Sequence, residues 1–272
     1  MDQGTFVFSV NDLGVTTGTV QDGNNLFHGF IRHPGGLILT FDLPQAGTGA
    51  YQGTEPLSIN FEGTIAGSYI DAANTYHGFV RSLRGDVTSF DPSGSVYTFV
   101  CEETCINPQD QITGFYQDSS GMIHGFLRNP DGDIITIDGP DAALTIAASI
   151  NAEGAITGYN QDSSGYHGFL RTHHGNMTSF NAPGIGMAPP PSTIAFSINA
   201  FGAITGEFLD ANGMHGFSRS PEGTFVTFDA PGAGTGPGLG TRPSTDNLES
   251  AVAGWWGDET TLNHGFVWLP GN

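Results

Sequence analysis

Ser149-Ile-Asn-Ala-Glu-Gly-Ala-Ile-Thr-Gly-Tyr-Asn-Gln-Asp-Ser-Ser-Gly-Tyr-His-Gly-Phe-Leu-Arg171 contains the whole grammar of this chain. Its last part, His-Gly-Phe, recurs at His28, His77, His124, His167, His215 and His264, at intervals of 49, 47, 43, 48 and 49 residues. Upstream of each stands a glycine and then an aspartate: Gly18/Asp22, Gly67/Asp71, Gly114/Asp118, Gly158/Asp162, Gly206/Asp210 and Gly254/Asp258. Six copies of one unit follow from this spacing, and self-similarity at such a period marks a repeat architecture.

Each copy offers four short strands, as in Thr193–Asn199, Ala155–Tyr159, His167–Arg171 and Met177–Phe180. They are β-branched or aromatic and are bounded by Gly, Asn, Asp and Pro. No stretch shows a sustained helical period. Four strands per unit, six times over, predict an all-β chain: a six-bladed β-propeller of four-stranded antiparallel blades in a single domain, residues 1–272. The sequence reaches only the third strand of the sixth copy, at His264-Gly-Phe-Val-Trp268, so one blade is expected to be short of a strand. An unpaired strand edge invites pairing with another chain, which makes oligomerisation through that blade an expectation. A self-assembling structural subunit is one functional reading of it.

The third-to-fourth strand turns fix a register. Asn129-Pro-Asp-Gly132 and Ser220-Pro-Glu-Gly223 have the chemistry of a type I turn closed by a glycine bulge. Counting back in steps of two places His28 opposite Asp42, His77 opposite Asp91, His124 opposite Asp138, His167 opposite Asn181 and His215 opposite Asp229. The strand-B aspartates Asp22, Asp71, Asp118, Asp162 and Asp210 flank the other turn, so each imidazole is predicted between two polar partners. Asp258 and His264 form the sixth, incomplete set. A cluster present in every copy reads as scaffold, and carboxylates on both sides should raise the histidine pKa values. The arginines Arg32, Arg81, Arg128, Arg171 and Arg219 follow the same repeat and are expected to pair with carboxylates.

Candidate ligand-binding residues come from two sources. Asn11, Asn60, Asn107, Asn151 and Asn199, with Asp246 in the sixth copy, end the first strand and would ring one opening of a propeller channel; the plainer reading is turn-forming Asn. Glu207 and the Trp255-Trp256 pair are breaks in the repeat. The loops Asp118-Ser-Ser-Gly and Asp162-Ser-Ser-Gly faintly resemble calcium loops but lack the regular acids and distal Glu. They read as turns, with weak calcium binding as the alternative. No phosphate loop, nucleophile elbow or zinc-helix motif occurs.

Composition bounds the partners. Seven basic residues against 27 acidic ones give a net charge of −20. So acidic a surface repels phosphate backbones, which argues against nucleic acid, and no apolar stretch is long enough for a membrane span. Cys101 and Cys105, in Cys-Glu-Glu-Thr-Cys, are spaced to close a small disulfide loop in an exported protein. Met1-Asp2-Gln3-Gly4 shows no leader. The expectation is therefore an extracellular or periplasmic protein read from after a removed signal.

The repeated Ser-Ile-Asn, Ile-Thr-Gly-x-Tyr-x-Asp, His-Gly-Phe-Leu-Arg and Phe-Asp-x-Pro elements resemble the bacterial extracellular HAF repeat. The resemblance departs at the middle residue, which is Gly in all six copies. It implies export and a propeller-like fold, and it carries no catalytic residues. The functional expectation is an exported binding module for a glycan or a surface protein. The alternative is a hydrolase or lyase working at the channel mouth.

Overall fold

The computed structural model describes residues 4–101, 104–184, 192–236, 238–247 and 250–270. Among them there is no helix, and hence none to cross a membrane. The strands fall into the six repeats. Repeat one holds β1 (Gly4–Val10), β2 (Thr16–Gln21), β3 (Phe27–Arg32) and β4 (Ile38–Phe41). Repeat two holds β5 (Gly53–Ile59), β6 (Ile65–Ile70), β7 (Tyr76–Arg81) and β8 (Val87–Phe90). Repeat three holds β9 (Ser95–Val100), β10 (Ile112–Asp118), β11 (Ile123–Arg128) and β12 (Ile134–Ile137). Repeat four holds β13 (Leu144–Ile150), β14 (Ile156–Asp162), β15 (Gly165–Arg171) and β16 (Met177–Phe180). Repeat five holds β17 (Ser192–Ile198), β18 (Ile204–Asp210), β19 (Gly213–Arg219) and β20 (Phe225–Phe228). Repeat six holds β21 (Gly240–Asp246), β22 (Val252–Gly257) and β23 (Asn263–Trp268), three strands among the described residues. Two compact units divide the chain, Met1–Ile137 and Asp138–Asn272, with three repeats in each.

Within a repeat the strands form an antiparallel meander. The first hairpin carries a bulge between Val7 and Ser9, repeated at Pro56/Ser58, Ala147/Ser149, Ala195/Ser197 and Pro243/Thr245. The bulge brings a backbone carbonyl of the first strand onto the second-strand glycine. A Cβ at Gly18, Gly67, Gly114, Gly158, Gly206 or Gly254 would collide with that carbonyl. In repeat three the same place holds an insertion, and a Cys101–Cys105 disulfide spans it before Ile106 rejoins Ile112.

The phenylalanine of His-Gly-Phe is the core of each blade. Phe79, Phe126, Phe169 and Phe217 have no exposed surface. The glycine before it answers for the departure from an alanine. A Cβ at Gly78, Gly168 or Gly216 would stand 2.5–2.6 Å from the ring of Phe90, Phe180 or Phe228 on the fourth strand. Gly265, in the repeat without a described fourth strand, meets nothing closer than 4.0 Å.

Neighbouring repeats are fastened by buried polar bonds. Thr54, Thr193 and Thr241 accept the backbone N–H of Leu43, Ala182 and Ala230 at 3.0, 3.0 and 2.8 Å. Among the described residues the repeating arginines form no ion pair with a carboxylate, contrary to expectation. Instead Arg81 lies over Phe41, Arg128 over Phe90 and Arg219 over Phe180, each about one repeat back, with centroid distances of 4.8, 5.0 and 4.9 Å. Repeat six has Trp268 at this position, stacked on Phe228 at 4.4 Å. A cation over a ring and a ring over a ring do the same packing work.

Candidate binding site between the fifth and sixth repeats

The histidine clusters assemble through the hairpin register. His77 Nδ1 lies 2.7 Å from Asp91 and its Nε2 3.4 Å from Asp71. His215 stands between Asp229 at 2.8 Å and Asp210 at 2.9 Å, and His167 between Asn181 at 2.8 Å and Asp162 at 3.2 Å. His28 contacts Asp42 at 3.0 Å and Asp22 at 3.8 Å. His264 meets Asp258 at 3.0 Å, and His124 meets Asp118 at 3.4 Å. Asp138 follows Ile137, the partner of Gly125 in the β11–β12 ladder.

Each strand-B aspartate spends one oxygen on its own turn. Asp22 Oδ1, for example, accepts the N–H of Asn24 and of Leu26 at 2.8 and 2.9 Å. Hydrogen bonds from Ser120 and Ser164 lead in holding Asp118 and Asp162 down at about 2. For His215, burial opposes protonation, but the bonds and charges of Asp210 and Asp229 outweigh it and the pKa is raised. The imidazoles also rest on an aromatic shelf that the motif did not announce. Tyr69, Tyr116, Phe208 and Trp256 stack on His77, His124, His215 and His264 at 4.3–5.1 Å. This closes the carboxylate, the imidazole and one of the two tryptophans into a brace across the turn.

The asparagines are braces too. Asn151 Oδ1 caps its turn by accepting the N–H of Glu153 and Ala155, and its Nδ2 donates to the Asn199 carbonyl at 3.1 Å. Asn199 donates in the same way to Asn247, Asn11 to Asn60, and Asn60 to Asn107. Asn11, Asn60, Asn107, Asn151 and Asn199 are all buried, so their amides are not offered to a ligand. The sixth member is Asn247, not Asp246: Asn247 Oδ1 accepts the N–H of Ala251. Asp246 pairs with Val252, the place of Ile150 opposite Ile156 and Ile198 opposite Ile204. An acid thus occupies an apolar position. Both its oxygens are buried with no well-formed hydrogen bond, and burial raises its pKa to about 6, outweighing the polar groups of Ser197 and Asn199 and its own backbone, which act to lower it.

The same seam contains the other break. Glu207 follows the strand-B glycine, where the other repeats have Thr19, Ser68, Phe115, Tyr159 and Trp255. Its side chain is 6% exposed. Arg242, on β21, reaches its Oε1 at 3.5 Å, a long contact for an ion pair. Burial raises Glu207 to about 7 even against that arginine. Oε2 of Glu207 and Nε of Arg242 are buried without partners. Below the guanidinium lies Trp255, 5.0 Å from ring to Arg242 Cζ and 38% exposed. An acceptor, a forked donor and an open aromatic surface therefore converge at one seam. Buried polar groups without partners call for an explanation, and a bound water or ligand is one. The sequence singled out Glu207 and Trp255 but not Arg242. The only signal was that Arg242 stands off the arginine repeat.

No family model matches the chain, and no curated protein matches it; the HAF-repeat family expected from the motifs is not among the findings. Solved structures do match in fold. The fungal lectin of Aleuria aurantia, described as a six-bladed β-propeller with a novel mode of fucose recognition, aligns with a TM-score of 0.52 at 12% identity, over 100% of this chain and 92% of the lectin. A lectin from Burkholderia pseudomallei aligns at 0.56 and 8%, over 96% of this chain and 79% of its own. A puromycin hydrolase variant aligns at 0.55 and 15%, over 94% of this chain but 44% of the hydrolase. The chain has the six-bladed β-propeller fold.

Proposed function

We propose that this propeller is a carbohydrate-binding module and that a sugar sits on Glu207, Arg242 and Trp255. The observation that carries this reading is the pair of unpartnered buried atoms, Glu207 Oε2 and Arg242 Nε, beside the exposed ring of Trp255. Adjacent sugar hydroxyls donate and accept at once, so they can satisfy a carboxylate and a guanidinium together. The apolar face of a pyranose matches an aromatic surface. The likeness to lectin folds supports the class of ligand and not its identity. Export is part of the proposal, supported by the Cys101–Cys105 disulfide and the resemblance to an extracellular repeat.

A panel of monosaccharides titrated against tryptophan fluorescence, followed by a glycan array, tests it. At least one sugar should bind saturably, and Glu207→Gln and Trp255→Ala should each weaken it by at least tenfold with melting curves unchanged in shape. Failure of every sugar, or binding indifferent to both substitutions, overturns the reading. A hydrolase or lyase draws on the same Glu207, whose pKa, raised to about 7, lets it give or take a proton near neutrality. Cleavage of a bound oligosaccharide that Glu207→Gln abolishes would select it.

A further inference from the structure

A recess of about 170 Å³ lies in the first unit, where the turns of repeats one and two meet. Its floor is Ile31 and Ile59, its walls include Leu13, Leu39 and Leu83, and Arg81 lines one side. The next seam, between repeats two and three, has a comparable recess of about 200 Å³ built from equivalent positions. The β-ladder registers equate Leu39 with Thr88, Ile31 with Val80 and Arg81 with Arg128.

The two recesses differ in chemistry. The second is lined by Thr88, Asp86 and Asp110 around Arg128, and Asp110 and Asp131 act on that arginine electrostatically. In the first, the positions of Thr88, Asp86, Asp110 and Asp131 are held by Leu39, Leu37, Gly63 and Arg84. Three of these four differences remove an acid that lies around Arg128, and one of the three also puts a second cation on the turn. Arg81 makes no ion pair among the described residues. Its guanidinium lies over Phe41, and one N–H reaches the Ser82 carbonyl at 3.3 Å. Glu62 is the one acid in the lining, exposed on its turn and not paired with Arg81. Arg81 shares its lack of an ion pair with Arg171 and Arg219 among the described residues; what sets it apart is the apolar recess beside it, and in a chain of net charge −20 that combination suits an outside anion.

We propose that this recess binds a small monocarboxylate with an apolar body, its ring or branched chain among Leu13, Leu39 and Leu83 and its carboxylate on Arg81. The volume suits one ring: an apolar cavity of about 150 Å³ is enough for benzene. The site is independent of the sugar seam and lies wholly in the other unit.

Phenylacetate and its neutral counterpart phenylacetamide are the probes, titrated into the full chain carrying ¹³C-labelled leucine methyls. Phenylacetate should shift the methyls of Leu13, Leu39 and Leu83 saturably, and phenylacetamide should bind at least tenfold more weakly. Leu39→Asp places a carboxylate in the wall, and Gly63→Asp restores the acid of Asp110; Gly63→Asn, which should keep phenylacetate binding, is the uncharged control because a Cβ at this position stands 3.0 Å from Leu83. Each of the two aspartate variants should weaken phenylacetate by at least tenfold. Asp110 itself adopts a positive φ of 57°, so an aspartate at position 63 has a local precedent. Absence of saturable shifts, equal binding of acid and amide, or full binding by Gly63→Asp overturns the proposal.

Discussion

Replacing Asp246 by isoleucine should stabilise the protein, and more so at alkaline than at acidic pH. Equivalent positions carry Ile59, Ile106, Ile150 and Ile198, whose side chains are buried. Asp246 brings to that place a carboxyl with two buried oxygens and no well-formed hydrogen bond. The cost follows from its pKa, which rises from an ordinary 3.8 to about 6 in the fold. That gap corresponds to about 3 kcal/mol between protonated and ionised forms. The sign is that of a group whose folded pKa lies above its unfolded one. Its contribution is intact below pH 3.8, declines as pH rises, and is lost once pH passes about 6. Urea unfolding of the natural chain and of Asp246→Ile, at pH 4 and pH 8, isolates the effect, since every other titrating group is common to both. The gain should be larger at pH 8 by about 2.5 kcal/mol, because at pH 4 the unfolded carboxyl is already more than half ionised. Asp246→Asn should flatten the pH dependence in the same way with a smaller gain, because its amide remains polar and buried. An equal gain at both pH values, or a loss at pH 8, would refute the reasoning.

Asn151→Ala removes two turn-capping bonds and one bond to the next repeat, and should cost about 2–4 kcal/mol in chemical denaturation; a change under about 0.5 kcal/mol, the level of an ordinary surface substitution, would make the asparagine a bystander. Gly216→Ala drives a methyl to 2.6 Å from the Phe228 ring and should cost about 1–3 kcal/mol or more, whereas Gly265→Ala meets open space and should be near neutral. Similar melting shifts for the two would contradict the packing account. His215 should titrate above 6.5 in an NMR pH series; the stability it contributes is full below that value and fades as pH rises through the raised one. A midpoint below 6.5 would show that burial wins over Asp210 and Asp229.

Much of this was legible in the residues. The turn chemistry of Asn129–Gly132 fixes the hairpin, and the structure has the predicted Asn129 to Asp133 bond at 2.8 Å and φ of 100° at Gly132. From that register the pairing of His77 with Asp91 follows by alternation alone. What stayed hidden depends on the neighbouring repeat. Nothing local says that Arg219 lies over Phe180, because those residues meet only when one repeat docks on the previous one. The choice of Asp246 over Asn247 failed for a related reason. In Ser244-Thr-Asp-Asn247 the motif is too worn to align by eye, and only the pairing of Asp246 with Val252 sets the frame. The tryptophan pair shows the period of two at its plainest: Trp256 faces the His264 brace, and Trp255, one residue back, faces Arg242.

These cases separate two kinds of repeated residue. Positions that recur from copy to copy, such as the Asp–His braces and the linked asparagines, have their polar atoms engaged within the chain. A ligand therefore has little to gain from them, however striking the recurrence looks in the sequence. Positions where one copy departs from the rest have no such obligation. Glu207, Arg242 and Asp246 all depart at one seam, and each has a buried polar atom without a partner there, as do the neighbouring Thr205 and Arg219. Leu37, Leu39, Gly63 and Arg84 depart together at another, where Asp86, Asp110 and Asp131 near Arg128 have no acidic counterpart near Arg81. Independent drift would scatter such departures over six repeats. Binding at those two seams, as proposed, would account for the grouping.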